Sequence, residues 1–167
     1  VDNWWFSYLA IGSAITYWNF ARAPGFFDIV CYAGTGSATT QAHNLGVVPQ
    51  LMLVKNRSSG YFWGVYSSTI GNNNYLVLNT NAASTSNVAF WNNTTPTSSA
   101  FSIGTSTSVN NSGNNYVAYL FATLAGVSYV GSYTGTGLTQ TINCGFGSGG
   151  ARFLLIKRTD SKIGRAH

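Results

Sequence analysis

The sequence predicts an all-β protein: an antiparallel β-sandwich or jelly-roll-like module in tandem repeat. Three observations predict it. Short runs rich in Val, Ile, Tyr, Phe, Trp and Thr alternate with Gly/Asn/Ser turns, no window carries a helical period, and a stretch of the chain returns about a hundred residues later.

The runs are residues 27–32, 51–55, 61–66, 75–79, 100–103, 116–122 and 127–133. A single sheet built from them would leave one apolar face in water, so two packed layers are expected. Residues 116–122 are apolar on both alternations, the mark of a central strand. The expected core draws on Phe27, Ile29, Leu51, Leu53, Leu76, Leu78, Val117, Tyr119 and Phe121.

The repeat sets the organisation. Trp18-Asn19-Phe20-Ala21, Gly25, Tyr32 and Gly34-Thr35-Gly36 return as Tyr119-Leu120-Phe121-Ala122, Gly126, Tyr133 and Gly135-Thr136-Gly137, an offset of 101 residues. Residues 49–57 then align with 151–159 at an offset of 102, which places a one-residue insertion in the intervening loop. The chain therefore divides into the end of one module (1–25), a complete module (26–123) and the start of another (124–160). Over this second stretch, residues 127–157 are expected to adopt the conformation of 26–55, leave an unpaired edge or apolar face, and promote aggregation. The last hexapeptide, Lys162 to His167, spells the conceptual translation of a common sequencing adapter after a well-patterned strand, so 161–167 is set aside from the fold.

Composition narrows the function. Charged residues are 7% of the chain against roughly 25% in an ordinary soluble domain. Solubility then rests on hydroxyls and amides, as in extracellular and particle-surface β-proteins. The net charge of +5 comes from scattered Lys and Arg, without the clustered basic face of a nucleic-acid binder, so no nucleic-acid partner is expected. The apolar stretch 4–15 is too short for a membrane span.

Catalysis is not expected either, and no catalytic residue, cofactor or metal is assigned. The only acids are Asp2, Asp28 and Asp160, so a carboxylate pair has almost nothing to draw on. His43 has no accompanying nucleophile elbow, and the repeat sets Cys144 opposite it, so it reads as a turn histidine bonding nearby backbone. Gly34-Thr35-Gly36 lacks the helix and lysine of a phosphate loop and reads as a tight turn.

Sugar binding has more to draw on. Tyr61, Phe62, Trp63, Tyr66, Trp91, Asn92 and Asn93 combine aromatic faces with amides, the chemistry of a lectin site, although core packing is the commoner use of such rings. The candidate glycan site is Tyr61 and Trp63 with Lys55, Asn56 and Arg57, whose charges otherwise protect a strand edge. Trp91 and Tyr66 are expected to be buried and Tyr61, at the mouth of the Ser58-Ser59-Gly60 turn, the most exposed.

Arg22 to Asp28, Ala42-His43-Asn44-Leu45-Gly46 with Pro49, Leu51 to Arg57, Asn114 to Ala122 and Gly131 to Gly135 resemble a repeat of tail-fibre and virion structural proteins of tailed bacteriophages. The resemblance covers about residues 17–160. It implies a non-catalytic virion module that builds the fibre or attaches to the host, with other fibre or virion subunits as partners, a homo-oligomer such as a trimer, and a host-surface glycan as a further partner. A lectin-like module of a phage or of a bacterial extracellular surface is the alternative. Assembly in a reducing cytosol would leave Cys31 and Cys144 as free thiols.

Overall fold

A computed structural model describes residues 21–160. The expected end of a preceding module (1–25), apart from residues 21–25, and the 161–167 tail lie outside these residues.

The protein is all-β, with every strand pair antiparallel. Strands β1 (Phe27–Ala33), β3 (Leu51–Asn56), β4 (Gly64–Ser67), β5 (Asn74–Val77), β6 (Thr85–Ser86) and β8 (Asn115–Phe121) form one six-stranded sheet in the order β1-β8-β3-β4-β5-β6. A second sheet pairs β2 (Thr39–Ala42) with β7 (Ala100–Ile103). It joins two single-turn helices, α1 (Val88–Trp91) and α2 (Thr107–Asn110), over one face of the large sheet.

β8 is apolar on both faces and lies inside the sheet, one strand in from the β1 edge. It bonds β1 along one edge, from Phe27↔Phe121 to Ala33↔Asn115, and β3 along the other, from Leu51↔Phe121 to Asn56↔Tyr116. β1 is a sheet edge and carries the inward-pointing charge of Asp28, a device that discourages pairing with other sheets.

Each helix is held by its caps. The Asn87 side chain accepts from Ala89 N at 2.9 Å, and Asn92 closes α1 in the left-handed region at φ 52°, which Asn tolerates better than most residues. Ser106 caps α2. These turns deliver Phe90, Trp91 and Val109 into a core with Tyr32, Leu45, Met52, Val54, Tyr66, Phe101, Ile103, Tyr116, Ala118 and Leu120.

This core uses the opposite alternation from the one expected. Only Phe27 and Leu76 of the expected set are fully buried; Ile29, Leu51, Leu53, Leu78, Val117, Tyr119 and Phe121 are half-buried. The register places Ile29, Leu53 and Tyr119 in one row on the sheet's outer face. With β8 and β3 apolar on both alternations, the choice of inner face falls to what packs on it, and Trp91, Phe101 and Val109 pack on the Met52/Ala118 face.

The expected strands of 127–133 and 153–157 do not form, so this stretch lacks the conformation of 26–55. Residues 127–160 carry no strand, and most of their apolar side chains are exposed. The topology supplies the reason: β1 and β3 are joined through β8 rather than to each other, and 124–160 contains no strand in that role.

Candidate functional site

The candidate residues sit where β3 turns into β4. The β3–β4 register pairs Leu53 with Val65 and Val54 with Gly64, and continuing it brings Lys55 opposite Trp63 on the outer face. The Lys55 ammonium lies 5.9 Å from the Trp63 ring centroid, within cation–π range, and donates to the Tyr61 carbonyl at 2.6 Å. The Trp63 ring stacks on Tyr119 (6.3 Å between centroids, 21° between planes), and Tyr119 stacks in turn on Phe27 (6.4 Å, 14°). Three rings and one ammonium thus cross the outer face from β1 to the start of β4.

The structure brings Lys55, Tyr61 and Trp63 together but sends Asn56 elsewhere. One residue beyond Lys55, Asn56 points to the inner face and is buried. Its Nδ2 donates to the Tyr116 hydroxyl at 2.9 Å, and its Oδ1 accepts from Ser58 N and Ser59 N at 2.9 and 3.0 Å. It shapes the turn and has no face towards a ligand. Arg57 is exposed on that turn, anchored through its own N–H to the Asn115 carbonyl at 2.7 Å. Tyr61 is only half-buried, contrary to the expected exposure; the exposed ring of this edge is Phe62, at 52%. Tyr66 and Trp91 are buried as expected.

The other side chains capable of chemistry are consumed by the framework. Asp28 accepts from Arg22 Nε at 2.6 Å, Ile29 N at 2.9 Å and Asn44 N at 2.7 Å. Burial alone would raise its pKa, but the Arg22 hydrogen bond, the two N–H groups and the Arg22 charge together hold it below its ordinary value. His43 accepts from Leu45 N through Nδ1 and faces the Thr97 carbonyl with Nε2, both at 3.2 Å, which assigns the tautomer protonated at Nε2. Asn110 donates to the Ser37 and Gly104 carbonyls and accepts from Thr35 N. Burial raises the pKa of Tyr32, Tyr66 and Tyr116, and the Tyr32 hydroxyl donates to the Val109 carbonyl at 2.7 Å.

Among the described residues, no group of three or more His, Cys, Asp or Glu is placed to hold a metal ion, Cys31 and Cys144 are free thiols, and no helix is long and apolar enough to cross a membrane. An open groove of about 400 Å³ runs between Val47, Val48, Gln50, Ser68, Thr95 and Thr123 at the far end of the same strands. The Gln50 amide oxygen is already taken there by Thr123 N at 2.6 Å.

No curated protein and no solved structure matches the chain. Residues 12–164 match the family described as a domain of unknown function, DUF7483, and the chain belongs to that family.

Proposed function

We propose that this chain is a non-catalytic structural module of a phage tail fibre or other virion surface. The observation that carries the reading is the use made of its reactive side chains. Asp28, His43, Asn56 and Asn110 spend their hydrogen bonds on backbone groups, Arg22 and Tyr116, and all four are buried. The neutral polar surface and the resemblance to tail-fibre repeats support the same reading.

Antibodies raised against the purified chain are expected to decorate the tails of particles that encode it in immunogold micrographs. Label confined to infected-cell lysate, with bare particles, would overturn the structural role. Release of reducing sugar from host envelopes in proportion to added pure protein would overturn the non-catalytic one.

A second reading, attachment to a surface glycan, is favoured by the β3–β4 connection: Phe62 and Arg57 are exposed there, and Lys55 lies over the Trp63 ring. On a glycan array, Phe62→Ala and the Tyr61→Ala/Trp63→Ala pair are expected to abolish any signal that arises here. A signal that survives both variants places the glycan elsewhere.

A further inference from the structure

We propose that residues 124–157 are a strand-accepting half-module, and that what they accept is a central strand of the β8 pattern lying C-terminal to them in the same polypeptide.

The turns of the complete module recur in this half at the spacing of the sequence repeat. Ala23 N donates to the Phe27 carbonyl at 2.9 Å, while Phe26 N and Phe27 N return to the Ala23 carbonyl at 3.1 and 3.0 Å. The same three bonds link Leu124 N to Ser128 O at 3.1 Å, and Val127 N and Ser128 N to Leu124 O at 2.9 Å each. Gly25 and Gly126 hold these turns at φ 75° and 73°, the left-handed region that glycine enters without strain. Gly36 and Gly137 match again, at φ 74° and 76°. The threonine before each, Thr35 or Thr136, accepts through its hydroxyl from the N–H two residues on, Ser37 at 3.2 Å and Leu138 at 3.4 Å.

The turns recur and the strands do not, and the difference falls where β8 is required. Turns close on local hydrogen bonds, whereas β1 takes its ladder from β8, and β3 takes one of its two from β8 and the other from β4. The side chains tell the same story. Tyr32, Met52 and Val54 are 8%, 0% and 0% exposed in the complete module, packed beside Tyr116, Ala118 and Leu120 of β8. Their counterparts Tyr133, Leu154 and Ile156 are 50%, 69% and 58% exposed. A strand inserted between 128–133 and 153–157 needs apolar side chains on both faces and free hydrogen-bonding groups on both edges, which is the pattern of β8. A second copy of the chain is a poor donor, because its own β8 is bonded along both edges and lending it would open its sheet.

The test completes the half-module. Appending a second copy of residues 58–123 directly after Thr159 continues the repeat register. In the extended chain, amide exchange at 128–133 and 153–157 is expected to slow by at least about 100-fold relative to the natural chain, as for amides drawn into a cooperative core. Tyr119→Pro in the appended copy alone is expected to return the exchange to its unextended rate. As a check that does not need the extension to fold, a soluble peptide of residues 114–123 titrated onto the natural chain is expected to protect the same two segments. No added protection from either the extension or the peptide would overturn the proposal. So would concentration-dependent protection of 128–133 and 153–157 in the natural chain alone, which would make a second copy the donor.

Discussion

The side-chain amide of Asn56, at the end of β3, donates to the hydroxyl of Tyr116, at the start of β8, across 2.9 Å of buried space. The same phenol accepts from Asn111 N and donates to the Thr107 carbonyl, both at 2.7 Å, so one oxygen ties two strands to α2. Tyr116→Phe keeps the ring, which stacks on Tyr32 at 5.2 Å, and removes all three bonds. With buried donors left unpaired, the expected loss is about 1–3 kcal/mol, read as a lower urea midpoint at unchanged slope. An unchanged midpoint would show that the phenol oxygen is not the tie.

Acid is expected to weaken the fold through Asp28. Its folded pKa lies below its ordinary value, so its contribution to stability is fully present above the ordinary carboxylate range and is lost as pH falls through the folded value. With three acidic residues in the whole chain, the effect is unusually easy to assign. Asp28→Asn should melt below wild type at neutral pH, and the gap should close as the pH is lowered. A gap constant with pH would remove Asp28 from the account. Arg22 is half exposed, so added salt should narrow the gap as well.

Alkali acts in the opposite sense. Tyr32, Tyr66 and Tyr116 have folded pKa values raised by burial, so the stability they confer is complete below the ordinary tyrosine range and falls as pH rises above it. Of the ten tyrosines, at least these three should fail to develop phenolate absorbance until the chain unfolds. A smooth titration of all ten with the fold intact would contradict their burial.

Gly104 lies where β7 runs into α2, and a methyl group there would collide with the Ala89 backbone carbonyl. Backbone on both sides leaves nothing flexible to give way. Gly104→Ala is expected to cost about 1–3 kcal/mol or more by overpacking, measured by thermal melting. By contrast, Gly60→Ala, with no atom within 4 Å of the added group, should melt near wild type.

The β class and the approximate positions of β1, β3, β5, β7 and β8 were legible in the sequence because short runs of β-branched, aromatic and aliphatic residues between Gly/Asn/Ser turns leave little choice. β2 and β6 were not, since Thr39-Thr40-Gln41-Ala42 and Thr85-Ser86 carry almost no apolar signal and are strands only because a neighbour bonds them. The inner face was misread for a related reason: Val117, Tyr119 and Phe121 are as apolar as Tyr116, Ala118 and Leu120, and the covering layer alone distinguishes them. At the candidate site, the nearness of Lys55 to Trp63 was legible from the short turn between them. The role of Asn56 was not, because a single step along a strand exchanges one face of the sheet for the other.

The place of β8 also sets the order in which the strands can pair during synthesis. Synthesis delivers β1 first, yet β1 finds its neighbour only when residues near Phe121 have left the ribosome. Until then the nascent chain has β3, β4 and β5 to zip as a meander, while β1 stays open beside them. Such distant pairing folds slowly and exposes sticky edges on the way. Translation that halts before β8 would leave a product that chaperones hold and proteases clear, and it is β8 that turns a loose ribbon into a sheet.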